Sequence, residues 1–241
     1  MSYNKTQLHP DIEFERHIFH RDQFAHYLRF THVIRIADIG MKILDWGCAN
    51  GQMLEVFYRN KFRPTKYLGL DIRKKTILDT SEKFRNLSFA EFQIVDLCGE
   101  LNYGNDWDVI TSFEVIEHIG KKNGDKFLQN INKHINERTI LLLSTPCYDE
   151  KTVAANNHII DGEIGEFTYQ ELKSLLEKYF IIENVFGTFA SQKDYKPFMN
   201  EWQKNMYEGL KKYYDSNLVS NFMAPFFPEY SRNCLWKCRK K

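Results

Sequence analysis

Short apolar runs alternate with amphipathic stretches along most of the chain. The apolar runs predict seven strands, at 42–45, 67–72, 92–95, 107–112, 139–144, 181–185 and 234–238. Between them, apolar residues recur at helical spacing at 52–59, 75–85 and 125–135. Thr168, with Glu171 three positions later, has the pattern that begins a further helix. Strands that alternate with helices over short connections pack as a parallel sheet covered on both faces, so the sequence predicts a doubly wound α/β fold with seven strands.

Two segments fall outside this alternation. Residues 1–40 contain an aromatic- and histidine-rich stretch that we expect to form an N-terminal helical cap, and residues 189–231 form an insertion before the last strand, 232–241. Ligands bind at the carboxyl edge of such sheets. We therefore expect a single domain with a cofactor-binding core at 41–188 and a substrate lid formed by the insertion. The aromatic side chains of the insertion either line an apolar pocket or bury the insertion against the sheet.

Composition narrows the class of protein. The 241 residues include 33 Lys and Arg and 32 Asp and Glu, a net charge of +1, which argues against nucleic-acid binding by bulk charge. Nucleic acid is therefore an open but not a favoured partner. The five scattered cysteines form no CxxC pair, and the N-terminus lacks a signal-peptide pattern. We expect a cytoplasmic protein with free thiols and no membrane partner.

The turn after the first strand carries the strongest chemical signal. Small residues at Gly47, Ala49 and Gly51 let the backbone bend and let a ligand approach closely. Asp71 ends the next strand, 20 residues after Gly51, where an acidic side chain can accept hydrogen bonds from both hydroxyls of a ribose. Asp45, two residues before Gly47, would repel a pyrophosphate but suits a ligand with an ammonium and a sulfonium group. These residues predict an adenosine-type cofactor.

This combination resembles the first motif of the class I S-adenosylmethionine (SAM)-dependent methyltransferases. The resemblance continues in order through YLGLDI at 67–72, VDL at 95–97, the stretch 107–119 and LLLSTP at 141–146. One departure is Ala49, where many members carry glycine. The resemblance implies a Rossmann-like methyltransferase fold, SAM as cofactor, Asp71 on the ribose and Asp96 on the adenine amino group. The cofactor-binding residues that it implies are Asp45, Gly47, Cys48, Ala49, Gly51, Asp71, Ile72, Asp96, Leu97 and Phe113.

The ExxEH segment after the fourth strand is the second chemical signal. Glu114, Glu117 and His118 could supply ligands for Mg²⁺ or Mn²⁺, and His158 could add a fourth. The pattern resembles small-RNA 3′-terminal 2′-O-methyltransferases and ubiquinone-pathway O-methyltransferases, within a subgroup similar to methyltransferase types 11 and 12. Such segments also occur in methyltransferases that bind no metal, where the acidic residue caps the next helix or contacts the cofactor. Both interpretations stay open here.

The resulting hypothesis is transfer of a methyl group from SAM to an oxygen or nitrogen atom of a small-molecule or nucleotide-like acceptor. A nucleophilic hydroxyl must lose its proton, and His118 is the candidate base, with Glu114 beside it. Arg232 and Asn233, just before the last strand, could contact a polar acceptor. The alternatives are a metal-assisted RNA 2′-O-methyltransferase, a SAM-binding partner without transfer activity, and nicotinamide-dependent reduction.

Overall fold

Seven strands form one sheet in the computed structural model, which describes residues 21–36, 40–149, 158–190 and 194–241. These strands are β1 (Lys42–Trp46), β2 (Lys66–Asp71), β3 (Ala90–Ile94), β4 (Val109–Phe113), β5 (Ile140–Pro146), β8 (Phe180–Ala190) and β9 (Ser231–Lys240). Their order is β3-β2-β1-β4-β5-β9-β8. All neighbours pair in parallel except β9, which is antiparallel to β5 and β8. The predicted doubly wound, seven-stranded, Rossmann-like fold is confirmed.

Helices cover both faces of this sheet. They are α1 (Arg21–Ile36), α2 (Gln52–Arg59), α3 (Lys74–Lys83), α4 (Ile116–Ile119), α5 (Lys121–Lys133), α6 (Tyr169–Glu177), α7 (Glu201–Leu210) and α8 (Ser216–Met223). Apolar residues of α1 and α2 pack in one core cluster, and those of α5 and α6 pack in another. The predicted start of α6 is confirmed, because Thr168 and Glu171 each accept a hydrogen bond from the other's backbone amide.

A short hairpin between β5 and α6 differs from the sequence prediction, which placed no strand there. Its strands, β6 (Ile159–Ile160) and β7 (Glu163–Ile164), are joined by Asp161 and Gly162. Both turn residues have positive φ, 51° and 80°, which is the geometry that Asp-Gly favours in two-residue hairpins. A second difference is that β4 begins at Val109, not at 107. The Trp107 indole before it is buried and donates a hydrogen bond to the Tyr103 carbonyl oxygen.

The insertion between β8 and β9 has a small core of its own. It contains α7, α8 and three short 3₁₀ turns at Lys196–Phe198, Ala224–Phe226 and Pro228–Tyr230. The buried residues that form this core are Tyr195, Met199, Val219, Met223, Ala224 and Phe227. Of the predicted N-terminal cap, α1 is described, whereas 1–20 and 37–39 lie outside the described residues. Within the described part of the chain, no helix has the length and apolar character needed to cross a membrane.

Candidate active site

A cavity of about 650 Å³ opens at the carboxyl edge of β1, β2 and β4. Its volume is in the range of pockets that hold small molecules and cofactors. Eleven of the residues singled out in the sequence lie on its wall: Asp45, Gly47, Cys48, Ala49, Asp71, Ile72, Asp96, Leu97, Phe113, Glu114 and His118. Gly51, predicted with them, does not. It begins α2, and a side chain there would meet the Phe84 ring at 2.6 Å, so its small size serves packing.

The bend after β1 lies directly against the end of β2. The amides of Gly47 and Cys48 both donate to the Leu70 carbonyl oxygen, at 2.8 and 2.9 Å. Gly47 has φ +100°, and a Cβ there would clash with Val115, so only glycine fits. Ala49 also adopts a left-handed conformation, with φ 50°, which costs a non-glycine residue about 1 kcal/mol. In this conformation the Ala49 amide donates a hydrogen bond to Oδ2 of Asp71 at 3.0 Å.

Asp45 is a buried carboxyl group on the cavity wall. The hydroxyl groups of Tyr67 and Thr111 donate to its two oxygens. Burial raises the pKa of Asp45 to about 6, against the opposing effect of these two hydrogen bonds. The carboxyl group is therefore oriented by two neutral donors and lacks a positive partner among the groups that set its pKa. A cationic ligand group would favour its ionised form.

Asp71 is held by four donors. They are the Ala49 amide and, from Arg73, the backbone amide, Nε and Nη2, at 2.9 to 3.1 Å. Burial opposes ionisation, but the hydrogen bonds and charge of Arg73 outweigh it and lower the pKa of Asp71. A carboxylate offers about four lone-pair positions. Ribose hydroxyls would therefore have to displace Arg73, whose side chain is 56% exposed and can move.

An apolar part of the wall lies next to Asp96. Ile72, which is 64% exposed, and Leu97 line the cavity there. The Asp96 carboxylate accepts a hydrogen bond from the Cys98 amide at 2.9 Å, which fixes its orientation. Apolar side chains beside a fixed hydrogen-bond acceptor suit a flat heterocycle that carries an amino group.

Glu114, at the end of β4, is bound by residues from three other elements. Its φ is +57°. It forms an ion pair with Arg29 of α1 and accepts hydrogen bonds from Ser144 of β5 at 2.9 Å and Asn233 of β9 at 2.8 Å. Arg29 is 2% exposed and also donates to the Ser144 hydroxyl at 3.1 Å. Both Glu114 oxygens are therefore engaged within the protein.

Three of the four residues predicted as metal ligands come together. One potential ligand atom from each of Glu117, His118 and His158 lies within 4.8 Å of the other two. Glu114, the fourth predicted ligand, is not part of this group; its carboxylate binds Arg29, Ser144 and Asn233. The remaining donors are one carboxylate and two imidazoles, a mixed nitrogen and oxygen set that suits a divalent cation.

The buried environment sets the protonation of this cluster. Burial and the nearby charge of Glu114 raise the pKa of Glu117, which is 1% exposed and accepts a hydrogen bond from Thr145 at 2.9 Å. Burial and His158 lower the pKa of His118. The rings of His118 and His158 meet edge to face, 4.3 Å between centroids. His118 also lines the cavity, so it connects the cluster to that space.

Comparison with known proteins decides the family. The sequence profile described as a methyltransferase domain matches residues 19–179. The chain belongs to the methyltransferase domain family. Together with its fold, this confirms the resemblance to class I SAM-dependent methyltransferases and makes the chain an enzyme. This assignment favours methyl transfer over the alternative of nicotinamide-dependent reduction.

Similar proteins agree with this assignment. The chain is 28% identical over 187 residues to a ubiquinone biosynthesis O-methyltransferase of Rickettsia akari, covering 74% of this chain and 69% of that protein. A TehB-like SAM-dependent methyltransferase from Corynebacterium glutamicum has a similar structure, with a TM-score of 0.58 at 16% identity over 92% of this chain and 98% of that one. Another is the 1,6-didemethyltoxoflavin-N1-methyltransferase of Burkholderia thailandensis, solved with 1,6-didemethyltoxoflavin and S-adenosylhomocysteine. Its TM-score is 0.57 at 13% identity, over 92% of this chain and 79% of that one.

Several residues of the methyltransferase's cavity have no counterpart in the sequence analysis. Arg29, Phe30 and Arg73 lie on the wall, and Tyr67 supports Asp45 from behind it. Arg73 could have been suspected, because it follows Asp71 by two residues. The aromatic residues of the insertion, in contrast, were candidates for a pocket wall in the sequence analysis. None of those that the structure describes lines the cavity, and the Trp202 and Tyr213 side chains are 60% and 81% exposed.

Proposed function

We propose that this methyltransferase transfers the methyl group of SAM to a hydroxyl oxygen of a small-molecule acceptor. We propose further that Glu117, His118 and His158 bind a divalent cation beside that acceptor. The observation that carries the proposal is the approach of these three side chains to one another at the edge of the cavity. The similarity to an enzyme named as an O-methyltransferase supports oxygen as the acceptor atom.

The cofactor is assigned to the side of the cavity formed by β1, β2 and the Asp96 turn. SAM supplies an electrophilic methyl group on a positively charged sulfur. In this proposal Asp71 accepts hydrogen bonds from the ribose hydroxyls once Arg73 has moved, and Asp45 binds the ammonium group. Ile72 and Leu97 contact the adenine ring, and Asp96 accepts a hydrogen bond from its amino group. The donors and acceptors on the wall fit each of these groups.

The acceptor is assigned to the side formed by β4, β5 and the hairpin. A bound Mg²⁺ or Mn²⁺ would act there as a Lewis acid that lowers the pKa of the acceptor hydroxyl. The lowered pKa of His118 keeps its imidazole neutral near pH 7, so it can bind a cation or accept a proton. Glu114 has both oxygens engaged, which supports a role in positioning the wall. Fixed groups in a dry site hold acceptor and methyl group at reacting distance.

The test is methyl transfer with labelled SAM and fractionated cell extract. We expect label in hydroxyl-bearing small molecules, loss of transfer with EDTA, and recovery with Mn²⁺. Transfer that persists in EDTA would remove the cation and leave His118 as the base. Label that enters RNA instead would replace the small-molecule acceptor with the RNA alternative, and a salt-sensitive RNA gel shift would accompany it.

A further inference from the structure

An ion pair with a buried carboxylate lies next to His158. Glu166, between the hairpin and α6, is fully buried, and its Oε1 lies 3.1 Å from Nδ1 of His158. Arg232 of β9 reaches the same carboxylate, with Nη2 at 2.9 Å from Oε1 and 2.7 Å from Oε2. Nη1 of Arg232 donates to the Cys147 carbonyl oxygen at 2.8 Å. One continuous series of hydrogen bonds therefore runs from the Cys147 carbonyl oxygen through Arg232 and Glu166 to His158.

The β6–β7 hairpin holds His158 and its hydrogen-bonded partners close to Glu117. The Gly165 amide donates to the His158 carbonyl oxygen at 2.6 Å. A Cβ at Gly165 would clash with the Glu117 carbonyl oxygen, so the hairpin lies directly on the turn that carries Glu117. His158 and Glu166 therefore stand on either side of a backbone segment that is packed against the cluster.

The carboxylate determines which nitrogen of His158 carries the proton. A neutral imidazole has one N–H group, and the other nitrogen has a free lone pair. The Glu166 carboxylate can accept a hydrogen bond from Nδ1 of His158 but cannot donate one. A neutral His158 ring therefore carries its proton on Nδ1. The lone pair is then on Nε2, away from Glu166. An imidazole without such a partner prefers the opposite tautomer, with the proton on Nε2.

We propose that Glu166 and Arg232 are positioning residues that fix His158 with its proton on Nδ1 and its Nε2 lone pair directed at Glu117 and His118. Carboxylates that bind the outer nitrogen of a ligand histidine orient the ring and make it a better donor. Arg232 compensates the buried charge of Glu166, which would otherwise oppose folding. The inference deepens the proposed function and depends on it in one respect, the use of His158 as a ligand.

The direct test is ¹⁵N NMR of the full-length enzyme with ¹⁵N-labelled histidine, without added metal and near neutral pH. A His158→Asn variant identifies the His158 signals. We expect the Nδ1–H tautomer for His158 in the wild type. In Glu166→Gln, which keeps the shape of the side chain but loses its charge, we expect a shift toward the Nε2–H tautomer. A wild-type His158 with its proton on Nε2 would overturn the proposal, whether or not any variant folds.

Mn²⁺ binding by calorimetry or electron paramagnetic resonance gives a second measurement. We expect Glu166→Gln to weaken Mn²⁺ binding about tenfold or more. Glu163→Gln is the matched control, because Glu163 lies in the same hairpin but is 60% exposed and pairs with Lys122. If both variants bind Mn²⁺ like the wild type, Glu166 has a structural role only, and the proposal is wrong.

The two proposals fail in different ways. An Nδ1–H tautomer in an enzyme that binds no Mn²⁺ would remove the cation from the proposed function and leave the orientation of His158 established. Metal-dependent transfer to a hydroxyl group by an enzyme whose His158 carries its proton on Nε2 would support the proposed function. It would overturn the positioning role of Glu166 and Arg232. S-adenosylhomocysteine affinity, which should stay within about twofold in Glu166→Gln, shows that the variant retains its fold.

Discussion

The two sides of the cavity are built in different ways. The cofactor side, from Asp45 to Asp96, is built mostly from nearby stretches of sequence and several backbone amides, with Thr111 as its distant contact to Asp45. The acceptor side is built from side chains that are far apart in sequence. Glu114 binds Asn233 across 119 residues, and Arg29 binds Ser144 across 115. The cofactor side therefore depends on local backbone geometry, whereas the acceptor side depends on the complete tertiary fold.

The largest effect that we expect comes from the acceptor side. In Arg29→Met, Glu114 loses its buried cationic partner, so the free energy of unfolding should fall by about 2–4 kcal/mol. Urea unfolding measures this change. Arg35→Met is the control on the same helix, because Arg35 is exposed. S-adenosylhomocysteine affinity should change by less than about threefold. A larger loss of affinity would contradict the independence of the two sides.

The next effect concerns the cofactor side alone. Asp71→Ala removes the acceptor assigned to the ribose and should weaken S-adenosylhomocysteine binding at least tenfold, or by about 1.4 kcal/mol. Isothermal titration calorimetry measures the affinity. Asp79→Ala, an exposed carboxylate on α3, should bind like the wild type. Unchanged affinity in Asp71→Ala would exclude Asp71 from the ribose site.

The contrast between the two sides also explains which parts of the site could be predicted from the sequence. The bend at Gly47, the two carboxylates and the alternation of strands with helices were predictable, because each depends on a local pattern. Glu117 and His118 were found because they are adjacent in sequence. Glu166 and Arg29 were not, because they reach the site through tertiary contacts that no spacing reveals. The hairpin was missed although Asp161 and Gly162 form a recognisable turn signal, since its strands have only two residues each.

A pH dependence should follow from Asp45. With a pKa of about 6, its carboxyl group is about one-tenth ionised at pH 5 and about nine-tenths at pH 7. Affinity for the ammonium-bearing S-adenosylhomocysteine should rise with pH over this range, by up to about tenfold. Because the folded pKa lies above the unfolded one, the ligand-free enzyme should lose stability as pH rises from about 4 to about 6.

Asp45→Asn is the control for this effect. It cannot ionise, and its amide can still bind Tyr67 and Thr111. Its affinity should be low and flat across the same pH range. A pH dependence equal to that of the wild type would assign the titration to another group.

The smallest effect concerns Arg73. Removing its side chain in Arg73→Ala leaves Asp71 free for the ribose, so S-adenosylhomocysteine affinity should rise about threefold, with a faster association rate. Stopped-flow fluorescence or surface plasmon resonance measures that rate. Lys74→Ala, an exposed neighbour, controls for the loss of one positive charge. Weaker binding in Arg73→Ala would show that Arg73 holds the cofactor instead of competing with it.

The contacts of Glu114 have a consequence for the order in which the enzyme becomes competent. Arg29 comes from the first described helix and Asn233 from the last strand, and both bind the same carboxylate. Leu44 and Leu70, on the strands of the cofactor side, share a core cluster with Trp236 of β9. Both sides of the cavity are therefore completed only when β9 has left the ribosome, so the enzyme gains its sites for methyl donor and acceptor at the same stage of synthesis.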